Sequence, residues 1–378
     1  MGKGFVFRKK LDSNQDYLHL IYLPSTDFFL IQFDSKKSVK INGAEANVNA
    51  IQVIGKGAII KLAKADAIYY NDLRKLFLKA NLDDKVIFEV KSMEYTFPNG
   101  QKGLHKLNFT AESGMMLGIM GGSGAGKSTL LNLLNGNLKP EAGQVLINGH
   151  DLHKENAMKQ LIGFVSQDDL LLEDLSVFDN LYYSAKLNFP NLSNEALSEK
   201  VNTTLQAMGL LEVKHLKVGN PIEKYISGGQ RKRLNIALEY IRETNILFVD
   251  EPTSGLSSHD SERIMELLKN MSLTGKLVFV VIHQPSSSSF KLFDQLLIVD
   301  LGGYPVYYGN PLETASYFRE ITAQASMQEI ECDACGNVNP EQIFDIIEQK
   351  VVDEYGQQTS QRKVSPREWY LFFKALSA

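Results

Sequence analysis

Hydrophobic and polar positions alternate in two different ways along the chain. Up to about residue 80, short runs rich in β-branched and aromatic residues are separated by turn signals such as Asn42-Gly43. This pattern predicts a small β-rich N-terminal domain over residues 1–80. The predicted strands are Leu18–Leu23, Phe28–Phe33, Ser38–Ile41, Ala58–Leu62 and Ala67–Tyr70, followed by a short predicted helix at Asp72–Ala80.

From Val86 onward, apolar runs of strand length alternate with segments of helical period. This alternation predicts an α/β fold in which a mostly parallel sheet is covered by helices. The predicted strands are Leu117–Met120, Leu161–Val165, Ile246–Val249, Leu277–Ile282 and Gln295–Val299, and two of the predicted helices are Asn194–Met208 and Ser258–Met271.

Composition narrows the functional classes. A formal net charge of −4 and a pI near 6.0 argue against a protein that coats nucleic acid, which needs a basic surface. No apolar run approaches the roughly 20 residues that span a bilayer, and the N-terminus lacks a signal pattern. Two cysteines indicate a reducing compartment. We therefore expect a cytoplasmic chain without a nucleic-acid partner.

A glycine-rich loop follows the strand predicted at Leu117–Met120 and precedes an apolar helical segment. It matches the pattern G-x-x-x-x-G-K-[ST], whose backbone N–H groups bind phosphate oxygens. In this pattern Lys127 reaches the β- and γ-phosphates and Ser128 ligates Mg²⁺. The predicted phosphate-binding residues are Gly121, Gly122, Ser123, Gly124, Ala125, Gly126, Lys127, Ser128 and Thr129.

Two carboxylates, Asp250 and Glu251, follow the strand predicted at Ile246–Val249. Ligands of open α/β sheets bind beyond the carboxyl ends of the strands. We therefore expect Asp250 to bind Mg²⁺ and Glu251 to polarise the attacking water. With the phosphate loop, this acid pair predicts a Mg²⁺-dependent ATPase.

A second glycine loop, ISGGQ at residues 226–230, also precedes an apolar-periodic helix. One nucleotide does not need two anion-binding loops from one chain, which suggests a shared site. At this point the chain resembles the ABC ATPases, whose signature reads LSGGQ, over about residues 86–350. The resemblance implies a P-loop NTPase ABC-ATPase core at 86–320 with an antiparallel β subdomain and a helical subdomain at about 168–242. A C-terminal extension toward a membrane domain is expected at 321–378.

The resemblance also implies that two copies of the chain dock head to tail on ATP binding. Ser227, Gly229 and Gln230 would then contact the γ-phosphate held by the partner's phosphate loop. His283 looks like the family's switch histidine. Gln167 looks like the Q-loop glutamine, which senses Mg²⁺ and water and contacts the transmembrane partner.

An aromatic residue upstream of the phosphate loop is expected to stack on adenine. The spacing favours Phe97, with Tyr95 as the alternative. One departure concerns the family's D-loop, which usually reads SALD or SGLD. Here Ser257 stands where aspartate is expected, which puts the coupling of the two ATP sites in doubt but not ATP binding.

Several segments resemble the G subfamily, which is linked to sterol, lipid and drug export. They are the RKR run at 231–233, the HQPSS run at 283–287, the VYYGNP run at 306–311 and the NPEQIFDII run at 339–347. The resemblance implies an ATPase that powers export from the inner face of the cell membrane, through a membrane domain in the same parent chain or a separate subunit. The alternatives are a soluble ATP-gated switch and a non-hydrolysing nucleotide-sensing module.

Two weaker signals have competing interpretations. Cys332 and Cys335 resemble half of a zinc site, whereas a structural role is the preferred interpretation because four ligands are normally needed. The N-terminal domain faintly resembles the later strands of a forkhead-associated domain, although the phosphothreonine-reading segments are absent. A packing domain without phosphopeptide binding is therefore preferred there.

Overall fold

The computed structural model describes most of the chain. The described residues are 5–10, 17–23, 26, 28–34, 38–48, 50–55, 58–62, 68–70, 73, 85–220, 223, 225–322, 340–353 and 357–376. The predicted helix at 72–80 lies, apart from Leu73, outside the described residues. Cys332, Cys335 and Asn339 also lie outside them.

The N-terminal region forms two antiparallel four-stranded sheets around one core. The sheet orders are β1-β2-β3-β6 and β5-β4-β7-β8. These strands are β1 Phe5–Lys10, β2 Tyr17–Leu23, β3 Phe28–Asp34, β4 Val39–Ile41, β5 Ala44–Glu45, β6 Gln52–Ile54, β7 Ile59–Leu62 and β8 Ile68–Tyr69. The alternating burial of β2 and β3 sends every second side chain into the core between the sheets. The five strands predicted here are confirmed.

A third sheet is antiparallel and has the order β10-β9-β12-β13. Its strands are β9 Ile87–Thr96, β10 Lys102–Glu112, β12 Ala142–Ile147 and β13 His150–Asp151. Phe88 of β9 packs against Phe248 and Phe279, with ring centroids 6.1 and 5.1 Å apart. The inner face of this sheet therefore shares a core with the central sheet.

The central sheet has the order β14-β15-β16-β11-β17-β18, and only β17 and β18 pair in antiparallel fashion. Its strands are β11 Met116–Met120, β14 Ile162–Val165, β15 Ile246–Asp250, β16 Leu277–Val281, β17 Gln295–Asp300 and β18 Tyr304–Gly309. Successive side chains of β15 and β16 enter two different cores, one on each face of the sheet. This two-sided burial explains their continuous apolar runs, and the predicted parallel strands are confirmed.

Most of the helices cover the other face of the central sheet, whereas the helix after the phosphate loop packs in the core shared with the third sheet. The C-terminal region packs beside the central sheet. The α-helices are α1 Lys127–Leu134, α2 Asn156–Lys159, α3 Val177–Asn188, α4 Asn194–Ala207, α5 Gly228–Tyr240, α6 Ser258–Leu273, α7 Ser287–Phe290, α8 Thr314–Thr322, α9 Glu341–Ile347 and α10 Pro366–Leu376. Short 3₁₀ turns occur at Leu211–Val213 and Pro311–Glu313, and β19 Lys350–Val352 pairs with β20 Gln358–Arg362. Among the described residues, no helix combines the length and the apolar character needed to cross a bilayer.

Candidate nucleotide-binding site

The phosphate loop lies between the carboxyl end of β11 and the start of α1. Gly124 and Gly126 have φ angles of 74° and 98°, which residues with a side chain rarely adopt. A Cβ atom on Gly121 would lie 2.3 Å from the carbonyl oxygen of Val299. The loop can therefore turn tightly against β17 only with glycine at these positions, and it leads into the N-terminus of α1, where backbone N–H groups are free to bind anions.

Lys127 lies inside this loop. Its Nζ donates hydrogen bonds to the carbonyl oxygens of Gly121 and Gly122, at 2.9 and 3.0 Å. The side chain is buried, and burial lowers the pKa of Lys127, whereas the carboxylates of Glu251 and Asp250 oppose this shift. The ammonium group is thus held by weak neutral acceptors that stronger anionic acceptors can replace.

An open cavity of about 440 Å³ lies over the loop. It brings together most of the predicted nucleotide-binding residues with Glu251 and His283. The residues that line it are Phe97, Gln101, Lys102, Gly103, Ser123, Gly124, Ala125, Gly126, Lys127, Ser128, Thr129, Glu251, His283, Gly302 and Gly303.

Five of the lining residues were missed by the sequence reasoning: Gln101, Lys102, Gly103, Gly302 and Gly303. A Cβ atom on Gly303 would lie 2.1 Å from the carbonyl oxygen of Gly103, and one on Gly126 would lie 3.3 Å from the same oxygen. Three backbone segments therefore approach one another closely, at Gly103, Gly126 and Gly303. The Gly302-Gly303 pair between β17 and β18 was the only sequence signal for this wall of the cavity.

Phe97 lines the cavity, and Tyr95 is not among the lining residues. The Phe97 ring lies against Gly103, where an added Cβ atom would be 2.7 Å from the ring. Tyr95 packs edge-on against Phe97, with centroids 5.2 Å apart, and contacts the apolar core. Of the two aromatic candidates, Phe97 is thus the one whose ring can stack on a base in this cavity.

The acid pair lies at the carboxyl end of β15. Burial and the adjacent Glu251 carboxylate raise the pKa of Asp250, and Lys232 and Lys127 oppose this effect. Glu251 has a φ angle of 42°, and its backbone N–H donates to the carbonyl oxygen of Val281 at 3.1 Å. This left-handed conformation is uncommon for glutamate and is often found at functional sites.

Gln167 and His283 reach the same edge of the sheet from the strands on either side of β15. The Gln167 side-chain amide donates to Glu251 Oε2 at 3.2 Å. His283 is exposed and follows β16. The parallel order β14-β15-β16 thus places Gln167, Glu251 and His283 at adjacent strand ends.

The signature loop begins α5 in a reciprocal cap. The Ser227 hydroxyl accepts a hydrogen bond from the Gln230 backbone N–H at 3.2 Å, and the Gln230 side-chain oxygen accepts one from the Ser227 N–H at 2.7 Å. Ser227 is exposed, and Gly229 lies against the carboxylate of Asp260. Ser227, Gly229 and Gln230 do not line the cavity over the phosphate loop of this chain.

The residues present fit a magnesium nucleotide. Mg²⁺ prefers oxygen ligands, and Asp250, Ser128 and the Gln167 side-chain amide supply them at this sheet edge. Burial and repulsion from Glu251 raise the pKa of Asp250, and a bound cation would relieve this repulsion. The glycine loop and the Phe97 ring supply a phosphate cradle and a stacking surface in the same cavity.

Comparisons with known proteins agree with this geometry. Residues 104–254 match the family model described as "ABC transporter". ABC transporter G family member 26 of Arabidopsis thaliana is 36% identical over 245 residues, which are 64% of this chain and 35% of that protein. The broad substrate specificity ATP-binding cassette transporter ABCG2 of Sus scrofa is 40% identical over 206 residues, which are 54% of this chain and 31% of that protein.

The matched part of the chain spans about a third of the length of these relatives. Among solved structures, cbiO1 from Clostridium perfringens, part of the ABC transporter complex cbiONQ, aligns with a TM-score of 0.56 and 26% identity. The alignment covers 64% of this chain and 96% of cbiO1. The chain therefore contains an α/β P-loop ATP-binding core of the ABC transporter type, preceded by a β-rich region, and this core is similar to the ATP-binding domains of G-subfamily ABC transporters.

Proposed function

We propose that this chain binds ATP with Mg²⁺, hydrolyses it, and thereby powers export through a transmembrane partner. The observation that carries the proposal is that the phosphate loop, Glu251 and His283 line one cavity. The hydrogen bond from Gln167 adds the fourth element by orienting Glu251. A protein that only binds ATP would need the phosphate loop, but it would not need these polar side chains around the γ-phosphate position.

We assign each part of the nucleotide to a part of this cavity. Phe97 stacks on the adenine, and backbone N–H groups of the phosphate loop and of the first turn of α1 bind the phosphates. Lys127 exchanges the carbonyl oxygens of Gly121 and Gly122 for β- and γ-phosphate oxygens, which are stronger acceptors because they are charged.

Hydrolysis then depends on the polar residues at the strand ends. Ser128, Asp250 and Gln167 would hold Mg²⁺, which would supply positive charge to stabilise the phosphoryl group during transfer. Glu251 accepts the proton of the attacking water, and Gln167 fixes the orientation of the Glu251 carboxylate. His283 donates a hydrogen bond to the γ-phosphate.

A second copy of the chain completes the site. The signature residues Ser227, Gly229 and Gln230 lie outside the cavity of their own chain, at the N-terminus of α5. We infer that they contact the γ-phosphate bound by the other copy, so that ATP binding joins two chains and hydrolysis separates them.

Exposed apolar side chains after the Q-loop glutamine and on α3 fit a transmembrane partner. Leu170 and Leu172 follow Gln167 closely and are 78% and 58% exposed. On α3, Tyr183 and Leu187 are 50% and 84% exposed. Apolar side chains exposed together mark binding surfaces, so we propose that a membrane domain, in the same parent chain or in a separate subunit, docks here and holds the ATPase at the cytoplasmic face. This surface favours a transporter over a soluble ATP-gated switch.

The proposal is tested by the rate of Mg²⁺-dependent ATP hydrolysis per chain as a function of protein concentration. We expect this rate to rise with concentration because each site needs two chains. Glu251→Gln should reduce turnover at least a hundredfold, because the general base is lost, and should trap an ATP-bound dimer on gel filtration.

Glu199→Gln is the matched control, because it removes one carboxylate from an exposed position on α4. It should leave turnover and dimerisation unchanged. Tight ATP binding by the unmodified chain, without turnover at any concentration, would instead favour the non-hydrolysing nucleotide-sensing module.

A further inference from the structure

The C-terminal region, residues 340–376 as far as described, packs beside the ATP cavity. Ile343, Ile346 and Ile347 of α9 are buried in the core that covers the helical face of the central sheet. Trp369 of α10 is fully buried, and its indole N–H donates to the carbonyl oxygen of Ile347 at 3.3 Å. Apolar contacts therefore hold this region against the ATPase core, and this packing fixes the positions of its polar contacts.

One of these contacts is an ion pair between β20 and β17, in which a single guanidinium nitrogen contacts both carboxylate oxygens. Arg362 Nη1 lies 2.8 Å from both carboxylate oxygens of Asp300, which is only 3% exposed. Asp300 is the last residue of β17, and its carbonyl oxygen accepts a hydrogen bond from the Gly303 N–H at 3.1 Å. Asp300 thus begins the turn whose Gly302 and Gly303 form a wall of the ATP cavity.

The opposite end of this turn is also held by the C-terminal region. Tyr304 stacks on His105 with ring centroids 3.7 Å apart, and Tyr370 of α10 lies 5.6 Å from the Tyr304 ring. The His105 N–H donates to the carbonyl oxygen of Gly303 at 2.8 Å. The Tyr370 hydroxyl donates to the carbonyl oxygen of Lys106 at 3.2 Å. Both glycine segments of the cavity wall are therefore flanked by residues that the C-terminal region contacts.

Arg362 reaches the phosphate loop as well, through Glu348. Arg362 Nη2 lies 3.4 Å from Glu348 Oε1, and the same oxygen is 3.0 Å from the position that a Cβ atom on Gly122 would occupy. Glu348 lines a second cavity, of about 370 Å³, together with Ser123 and His283. The guanidinium group thus connects two segments of the nucleotide site that are not adjacent in sequence.

We propose that Arg362 is a positioning residue for nucleotide binding. It holds the Asp300–Tyr304 turn, and hence the Gly302-Gly303 wall, at the distance that admits ATP. The planar guanidinium suits this task because its two Nη atoms, at a fixed separation, contact Asp300 and Glu348 respectively. The inference rests on the proposed function, since it concerns the wall of the proposed ATP site.

The test measures the Kd of a fluorescent ATP analogue with Mg²⁺, at a temperature well below the Tm of each variant. We expect Arg362→Gln to weaken binding about tenfold, because loss of a positioning contact displaces the wall by a fraction of an ångström. The Kd of Arg362→Lys, which keeps the charge but not the planar guanidinium, should lie between the Kd of the unmodified chain and that of Arg362→Gln. Lys363→Ala removes the neighbouring exposed charge and should leave the Kd unchanged.

A double variant keeps the test valid if the buried Asp300 carboxylate prevents Arg362→Gln from folding. Arg362→Gln combined with Asp300→Asn leaves no buried charge unpaired, and it should fold and still bind the analogue several-fold more weakly. A Kd within twofold of the unmodified chain in these folded variants, even with a lower Tm, would overturn the proposal and leave the pair a structural role only. Failure of the unmodified chain to bind the analogue would count against the proposed ATP site itself.

Discussion

At the residue scale, Ser257 shows how a departure from the family pattern is accommodated. It caps α6, and its hydroxyl accepts the Asp260 N–H and donates to Asp260 Oδ2 at 3.2 and 3.1 Å. Asp260 Oδ1 also lies 3.7 Å from Arg233 Nη1 on the signature helix. An aspartate at position 257 cannot donate to Asp260, so the serine and Asp260 form a matched pair.

This pairing predicts that Ser257→Asp alone does not restore the coupling that the family's D-loop aspartate supports. Two carboxylates would meet at hydrogen-bond distance, which we expect to cost about 0.5 kcal/mol of stability at this exposed helix start. Ser257→Asp combined with Asp260→Ser removes the repulsion and should raise the Hill coefficient of ATP hydrolysis above that of the unmodified chain.

Ser258→Asp serves as the control, because it adds the same charge to the first turn of α6, where a negative charge is favourable, without directly facing Asp260. It should leave both stability and the Hill coefficient nearly unchanged. If Ser257→Asp alone raised the Hill coefficient as much as the double variant, the pairing of Ser257 with Asp260 would not matter for coupling.

Candidate site residues can be named from the sequence where a short segment carries the chemistry. The phosphate loop and the acidic end of β15 are each contiguous, so spacing alone identifies candidates, and the structure places Ser123–Thr129 and Glu251 around one cavity. Gly103 and Gly303 were missed because their contact joins two backbones far apart in the sequence. Only the folded chain shows why each must be glycine.

At the element scale, two cations at the start of the signature helix α5 fasten it to the Q-loop. Arg231 Nε and Nη2 donate to the two carboxylate oxygens of Asp169 at 2.9 and 3.0 Å, and Arg231 Nη1 donates to the Gly219 carbonyl oxygen at 2.5 Å. Lys232 donates to the carbonyl oxygens of Ser166 and Gln167 at 3.1 and 2.8 Å. These contacts give the RKR run a structural role that a solvated helix face would not have.

We therefore predict that Asp169→Asn destabilises the chain by about 2 kcal/mol, because it leaves the buried Arg231 guanidinium without its carboxylate. The value is below the roughly 3–5 kcal/mol expected for a fully buried pair, since Asp169 is partly exposed and Arg231 keeps its bond to Gly219. Thermal unfolding should register a Tm lower by about 4–8 °C. ATP hydrolysis should fall more than ATP binding, because Gln167 loses its fixed position.

Asp168→Asn provides the comparison, because Asp168 is the exposed neighbour and carries the same charge. Its Tm should match that of the unmodified chain. Equal Tm values for Asp168→Asn and Asp169→Asn would show that the bond between Arg231 and Asp169 contributes nothing to stability.

Element prediction was most successful for strands whose burial is uniform. The runs at Leu277–Ile282 and Ile246–Val249 are apolar because both faces of β16 and β15 are covered, and they were found without ambiguity. The strands β9 and β10 alternate between buried and exposed positions and contain register shifts, so their bounds were not assigned from the sequence. The order of the strands depends on contacts between distant segments, which no local pattern contains.

At the scale of the whole molecule, most of the buried apolar residues in the described part of the chain fall into three clusters. One contains only residues between Leu18 and Tyr70 together with Leu73, whereas the other two contain residues from Val86 onward. No buried residue of the first cluster belongs to either of the others within the described part of the chain. The proposed boundary between the N-terminal domain and the ATPase core is consistent with this division.

Separate cores predict separate unfolding transitions in calorimetry of the full chain. A ligand that binds only one folded unit stabilises that unit, by about 2.7 kcal/mol at a hundredfold excess over its Kd, or roughly 5–10 °C in Tm for a unit of this size. MgATP should therefore shift only the transition of the ATPase core. The N-terminal transition should stay at the same temperature. Lys127→Ala should abolish the MgATP-induced shift of the ATPase transition and leave the N-terminal transition unchanged, since Lys127 acts on phosphate and does not belong to the N-terminal core. A single transition that shifts with MgATP would contradict this prediction, because it would mean that the N-terminal region and the ATPase core unfold together. The N-terminal region would then belong to the unit that nucleotide stabilises.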